Sequence, residues 1–135
     1  MQFGDFPDSF REYGRSRVVL LPVPFDKTCS WRKGAAQGPA ALLEASYYLE
    51  SYFVETDTEV YTEGIHTAAP VLEETSESMV AEVERRVEEL LTDGKFVVTL
   101  GGEHTVSVGA VRAVARAYPR VSVLQLDAHA DLRDE

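Results

Sequence analysis

What the sequence lacks narrows the field first. Its 135 residues hold one cysteine, Cys29, so the chain can form no internal disulfide. That thiol reads as a packed or indifferent group, with a catalytic nucleophile as the alternative. Lysine and arginine number 13 against 23 aspartates and glutamates, a net charge of −10, with no basic cluster longer than "WRK" or "ERR". Gripping a phosphate backbone needs a basic footprint, so nucleic acid is not an expected partner. An acidic field favours cations instead, whether metal ions or positively charged small molecules. No apolar run approaches the ~20 residues that span a bilayer. The start, "MQFGDFPDSF", lacks the basic-then-apolar order of a signal peptide. Internal repeats and low-complexity linkers are missing too. The expectation is a reduced, soluble, cytoplasmic protein with no membrane partner.

What is present is a globular composition, 44% hydrophobic, enough for one α/β domain over residues 1–135. "RVVLLPVP" (17–24) is a near-continuous apolar run, as expected for a strand buried on both faces. "GPAALLEASYYLE" (38–50) reads as a helix with Pro39 in its first turn and Leu42, Ala45 and Leu49 recurring on one side. "TEVYTEGI" (58–65) reads as a short strand. Residues 77–92 predict the clearest helix, with Met79, Val80, Val83, Val87, Leu90 and Leu91 in one stripe. Ser76 is its expected cap, Gly94 its expected stop, and the charges of "VERRVEEL" its wet face. "KFVVTL" (95–100) and "VSVLQL" (121–126) predict strands on either side of a helix over 105–118. Strands alternating with helices predict a three-layer αβα arrangement around a mainly parallel sheet.

In such sheets, ligands collect beyond the carboxyl ends of the strands. Two predicted strands end there in metal-capable residues: Gly101-Gly102-Glu103-His104 and Asp127-Ala128-His129-Ala130-Asp131. If the strands were neighbours, their ends would lie ~5 Å apart and bring His104 to Asp127. In an extended strand Asp127 and Asp131 would be ~13 Å apart, too far to share one ion. The chain must therefore curl beyond the sheet, or the triplet must serve two ions ~3.5–4 Å apart, with Asp127 bridging. Imidazole with carboxylate and no thiolate suits Mn²⁺, with Zn²⁺, Co²⁺ and Fe²⁺ as competitors. The Gly101–Gly102 turn could also cradle an anion, although "GGEHTVSVG" is no nucleotide fingerprint. Glu103 is open between supporting a ligand and an ordinary structural role. Trp31, Arg32 and Lys33 are open between lining the site and lying on a solvated loop. Asp26 and Arg133 are equally open, and His66 stands alone.

"LGGEHT" followed by "QLDAHADLRDE" resembles the ureohydrolase (arginase and agmatinase) family, and "PVPFDKTCSWRKGAAQGPAALLEAS" (22–46) is similar to it in an agmatinase-like layout. The resemblance implies a binuclear Mn²⁺ centre that hydrolyses a cationic guanidino substrate, most simply agmatine to putrescine and urea, with an arginase, guanidinobutyrase or formiminoglutamase type of ureohydrolase as the alternative. It implies His104 on one ion, His129 on the other, Asp127 bridging, and Asp131 as a further ligand that helps move the proton. It covers the N-terminal portion of such enzymes: four of six expected ligands are here, and most substrate-reading residues are not. The corresponding expectation is an incomplete sheet whose exposed edge makes the chain alone metal-poor, inactive and prone to associate, and a homo-oligomer when complete. Two other readings remain open. One is a different metallohydrolase on a similar sheet, such as an amidohydrolase or deacetylase. The other is a non-catalytic domain that packs against a partner.

Overall fold

A computed structural model describes residues 1–131; Arg133 lies outside the described residues. Strand β1 (Val18–Val23) is central, with β2 (Ile65–Thr67) on one side and β3 (Phe96–Gly101) on the other. Both pairings are parallel. Val18 stands opposite Phe96 and Val23 opposite Gly101, so β1 and β3 finish level. The loops leaving them start side by side at the same edge of the sheet, and that register positions everything that follows.

Parallel neighbours require crossovers. Helix α1 (Gly38–Ala45) lies between β1 and β2, α2 (Ser76–Thr92) between β2 and β3, and α3 (Val106–Ala117) follows β3. Side chains alternate across β1. Leu20 packs with Leu43 of α1 and with Ile65, whereas Leu21 and Val23 pack with Met79, Val80, Val83 and Val87 of α2 and with Val106 and Ala113 of α3. Helices therefore cover both faces, which is why β1 is apolar at nearly every position. Burying each such side chain contributes about 1.5–3 kcal/mol.

The long helix begins at its expected cap, Ser76, one residue earlier than expected. Thr75, extended at φ −119° and ψ 156°, is the N-cap, and its Oγ1 accepts the Ser78 N–H at 3.1 Å. Ser76 is already helical and cannot fill that role. At the other end Gly94 has φ +72°. Its N–H donates to the Leu91 carbonyl at 3.0 Å and the Lys95 N–H to that of Leu90 at 2.9 Å, a glycine-closed C-terminus. The charged face is wet except for Glu84, which is buried against α3 with Arg116 at 2.6 Å. Gly109 allows that close approach, since a Cβ there would sit 2.5 Å from the Val80 carbonyl oxygen.

Three expectations need correcting. Helix α1 stops at Ala45 and continues only as a 3₁₀ turn over Ser46–Tyr48. It buries Pro39, Leu43 and Ser46, while Leu42, Ala45 and Leu49 are exposed. The Ser46 hydroxyl donates back to the Leu43 carbonyl and accepts the Gly4 N–H, which favours the tighter turn. "TEVYTEGI" is mostly a 3₁₀ turn, Val60–Glu63, and β2 begins only at Ile65. Gly64, at φ +79° and against Ser16, makes the change of direction.

The third correction concerns residues 121–126, which form no strand and do not pair with β3. Val121, Val123, Leu124 and Leu126 are exposed, Leu126 at 90%. A run apolar at successive positions becomes a strand when both its faces are covered, and nothing among the described residues covers this one.

Candidate metal centre

The turn leaving β3 is fastened to the chain leaving β1. The Gly102 N–H donates to the Val23 carbonyl at 3.2 Å and the Glu103 N–H to that of Phe25 at 2.9 Å. Only glycine fits at 102, because a Cβ would strike the Phe25 carbonyl oxygen and lie 3.1 Å from Ala35. The Gly102 and Glu103 amides are thus engaged within the protein. The next residue is His104. Its carbonyl accepts the Ser107 N–H at 3.0 Å and the Ser107 hydroxyl at 2.8 Å at the start of α3, leaving the imidazole half exposed beyond the sheet.

The second group of residues arrives by curling rather than by strand pairing. Asp127 Oδ1 accepts the His129 N–H at 2.8 Å, a local turn that bends the chain back on itself. Gln125 donates to the His129 carbonyl at 3.3 Å. Asp131 then adopts φ +50°, a left-handed conformation that aspartate tolerates better than most residues. This resolves the extended-chain problem, because Asp127 and Asp131 now face the same imidazole. His104 Nδ1 lies 3.2 Å from Asp131 Oδ2 and 3.6 Å from Asp127 Oδ2. One ligand atom from each of the three residues falls within 4.8 Å of the others. His129 joins through Asp127 alone, its Nδ1 3.6 Å from Oδ1, and its side chain is 82% exposed. Asp127 thus turns one oxygen to each histidine. The His129 amide bond, followed by the two neighbouring imidazoles, holds its carboxyl below the usual aspartate range.

The donor set fits a divalent cation. Metal–oxygen and metal–nitrogen bonds of ~2.0–2.2 Å put neighbouring ligand atoms about 3 Å apart around a shared ion, close to the separations seen here. Imidazole and carboxylate without thiolate is the chemistry that Mn²⁺ and its competitors accept.

Other candidates fall into place around this point. Glu103 sends its carboxylate to Thr28 on the loop after β1, accepting the Thr28 N–H at 3.1 Å and also its hydroxyl. That carboxylate, beside Cys29, pushes the thiol pKa up. Asp26 closes its own loop, with Oδ2 accepting the Gly34 N–H at 2.7 Å and the Ala36 N–H at 3.3 Å. These bonds, first Gly34 and then Ala36, hold its pKa down. Lys33 donates to the Asp26 carbonyl, and Trp31 projects from the loop at 86% exposure. His66 is remote, on β2, where Nδ1 meets the Arg11 carbonyl at 2.8 Å. It borders a surface hollow of about 760 Å³ whose walls include Arg85, Arg86, Glu89 and Asp93. That hollow does not include the convergent residues. Thr28 has no role in the sequence pattern, which leaves Cys29 between an indifferent thiol and a nucleophile; nothing local ties Thr28 to a glutamate 75 residues away.

Residues 16–135 match the model of the arginase family. Among curated proteins, the chain is 40% identical over 136 residues to N(1)-aminopropylagmatine ureohydrolase from Synechocystis sp., covering 95% of this chain and 44% of that protein. Among solved structures, it is similar to a putative agmatinase from Clostridium difficile, with a TM-score of 0.84 and 29% identity over 92% of this chain and 46% of the other. A Trypanosoma cruzi formiminoglutamase solved with Mn²⁺ matches with a TM-score of 0.72 and 26% identity, over 81% of this chain and 39% of its own. The chain thus spans a little under half the length of these relatives.

Proposed function

The chain belongs to the arginase family, and from that premise we propose that His104, Asp127, His129 and Asp131 are its contribution to a binuclear manganese centre that hydrolyses a guanidino group. The observation that carries the reading is the convergence of His104, Asp127 and Asp131 within 4.8 Å beyond the carboxyl ends of the strands. The Mn²⁺ in the formiminoglutamase supports the choice of metal.

A pair of divalent cations held by these residues would supply the positive charge that makes water acidic enough to attack near neutral pH. The protein's part is placement. Asp127, with one oxygen toward each histidine, would span the two ions; His104 and His129 would each hold one. Asp131 Oδ2 would accept the proton of the attacking water and return it to the leaving nitrogen. With agmatine, the water oxygen bonds to the guanidinium carbon, the bond from that carbon to the alkyl nitrogen breaks, and urea and putrescine result. The relatives' names support agmatine or its aminopropyl derivative as substrate. The acidic balance of the chain favours either cation.

Four ligands furnish only part of a two-ion site, and the relatives are more than twice as long. The 135 residues by themselves are therefore expected to hold manganese weakly, to turn over little substrate and to associate through the open edge of β3. A cytoplasmic homo-oligomer is the corresponding expectation for the complete site. The test is urea release from agmatine and from its aminopropyl derivative with Mn²⁺, by this chain and by a chain continued to the length of its relatives. The longer chain should turn over and the shorter should not. No urea from either substrate with the longer chain would overturn the reading.

A further inference from the structure

Glu103 is adjacent to His104 in the chain, yet its carboxylate is engaged by a different segment. Oε2 accepts the Thr28 N–H at 3.1 Å and Oε1 the Thr28 hydroxyl, and the neighbouring Cys29 thiol and Thr105 hydroxyl favour its charged form. Each carboxylate oxygen thus holds one donor of Thr28. Thr28 Oγ1 also lies 3.3 Å from Thr105 Oγ1, and the Glu103 N–H reaches the Phe25 carbonyl at 2.9 Å. Main chain and side chain of one residue therefore hold the loop on both sides of Lys27. The far end of the loop is closed separately, by Asp26 on Gly34 and Ala36.

We propose that Glu103 is a positioning residue that latches the loop 24–34 to the turn carrying His104, so that the imidazole and the loop bearing Trp31 are set in place together. The proposal deepens the functional reading above and rests on it only for the meaning of His104. A carboxylate suits the task because every group converging on it can donate. A glutamine would have to turn an NH₂ toward one of the two Thr28 donors, and an alanine would leave both without an acceptor. The latch and the Asp26 closure are separate, so releasing one leaves the other intact.

Deuterium exchange of backbone amides and iodoacetamide alkylation of Cys29, both at fixed pH, read the latch without any activity. In Glu103→Ala, exchange at Thr28 and alkylation of Cys29 should each rise about tenfold or more, with Gly34 and Ala36 unchanged. Glu103→Gln should give a smaller rise confined to the same residues, and it serves as the working variant if the alanine form fails to fold. Paramagnetic broadening of the His104 imidazole by added Mn²⁺ reads the positioning. Outer partners of metal ligands typically alter affinity 10–100-fold, so half-broadening in Glu103→Ala should need about tenfold more Mn²⁺. Unchanged exchange and alkylation would overturn the latch. A rise shared with Gly34, Ala36 and the amides of α2 would also overturn it, as general loosening. An opened latch with an unaltered Mn²⁺ response would overturn the positioning role. A wild-type chain whose Thr28 responds as expected but whose His104 ignores Mn²⁺ would uphold the latch and overturn the metal reading beneath it.

Discussion

Two segments flank the His104 turn and are held in opposite ways. The loop after β1 is fastened by backbone bonds from Gly102 and Glu103, by the Glu103 carboxylate and by Asp26, and it continues from a strand with fully buried residues. The stretch 118–131 has no ladder partner among the described residues; its apolar side chains face solvent, and it meets the turn through Asp127 and Asp131. One half of the candidate centre is thus preformed by the sheet, and the other is placed by local curling. The lesson is that a site can converge before its scaffold does, because an aspartate turn needs only a few residues whereas a strand needs neighbours.

The widest contrast lies in the cores. Leu21 is fully buried and Leu126 is 90% exposed. Leu21→Ala should cost about 2–5 kcal/mol in urea denaturation, and Leu126→Ala should stay within about 0.5 kcal/mol of wild type. Similar losses would erase the distinction between the two regions. Next in size is the fastening itself. Gly102→Ala forces a methyl against the Phe25 carbonyl and Ala35 and should cost about 1–3 kcal/mol, with faster exchange at Thr28. Asp127→Ala should change stability by no more than about 0.5 kcal/mol, because its segment is exposed. It should nevertheless weaken Mn²⁺ broadening of His104 at least tenfold. A large loss of stability there would mean that the second segment is structurally integrated after all.

The smallest effect concerns pH. Asp26 is held below its ordinary value of 3.8 by the Gly34 and Ala36 amides. A depressed folded value means that its contribution is present above the ordinary value and is lost as pH falls through the folded one. The Gly34 amide should therefore keep its shift down to about pH 4 and change only below it. A change centred well above that point would show that the loop is not closed by this carboxylate.

The legible parts of the sequence were those fixed by local periodicity or by contact with both faces of the sheet. The run Val18–Val23 and the α2 stripe ending in Leu90 are legible because burial repeats along them without interruption. His104 is legible because it follows a strand end, whereas Asp127 and Asp131 were expected at a strand end and instead reach it through the local turn at Asp127. The 3₁₀ turn Val60–Glu63 was hidden, because its β-branched and aromatic residues mimic a strand while Gly64 decides the geometry. The buried side of α1 was misread because Ser46 is buried by two hydrogen bonds, which hydrophobic spacing does not report. The same limit concealed the Thr28–Glu103 link, which joins distant loops through polar atoms alone.

The most direct measurement is a Mn²⁺ titration of the chain followed by resonance broadening, residue by residue. The account predicts that His104, Asp127 and Asp131 broaden together and before the acidic residues of α2 such as Glu82 and Glu89. Broadening of those helical carboxylates while His104 stays sharp would contradict it.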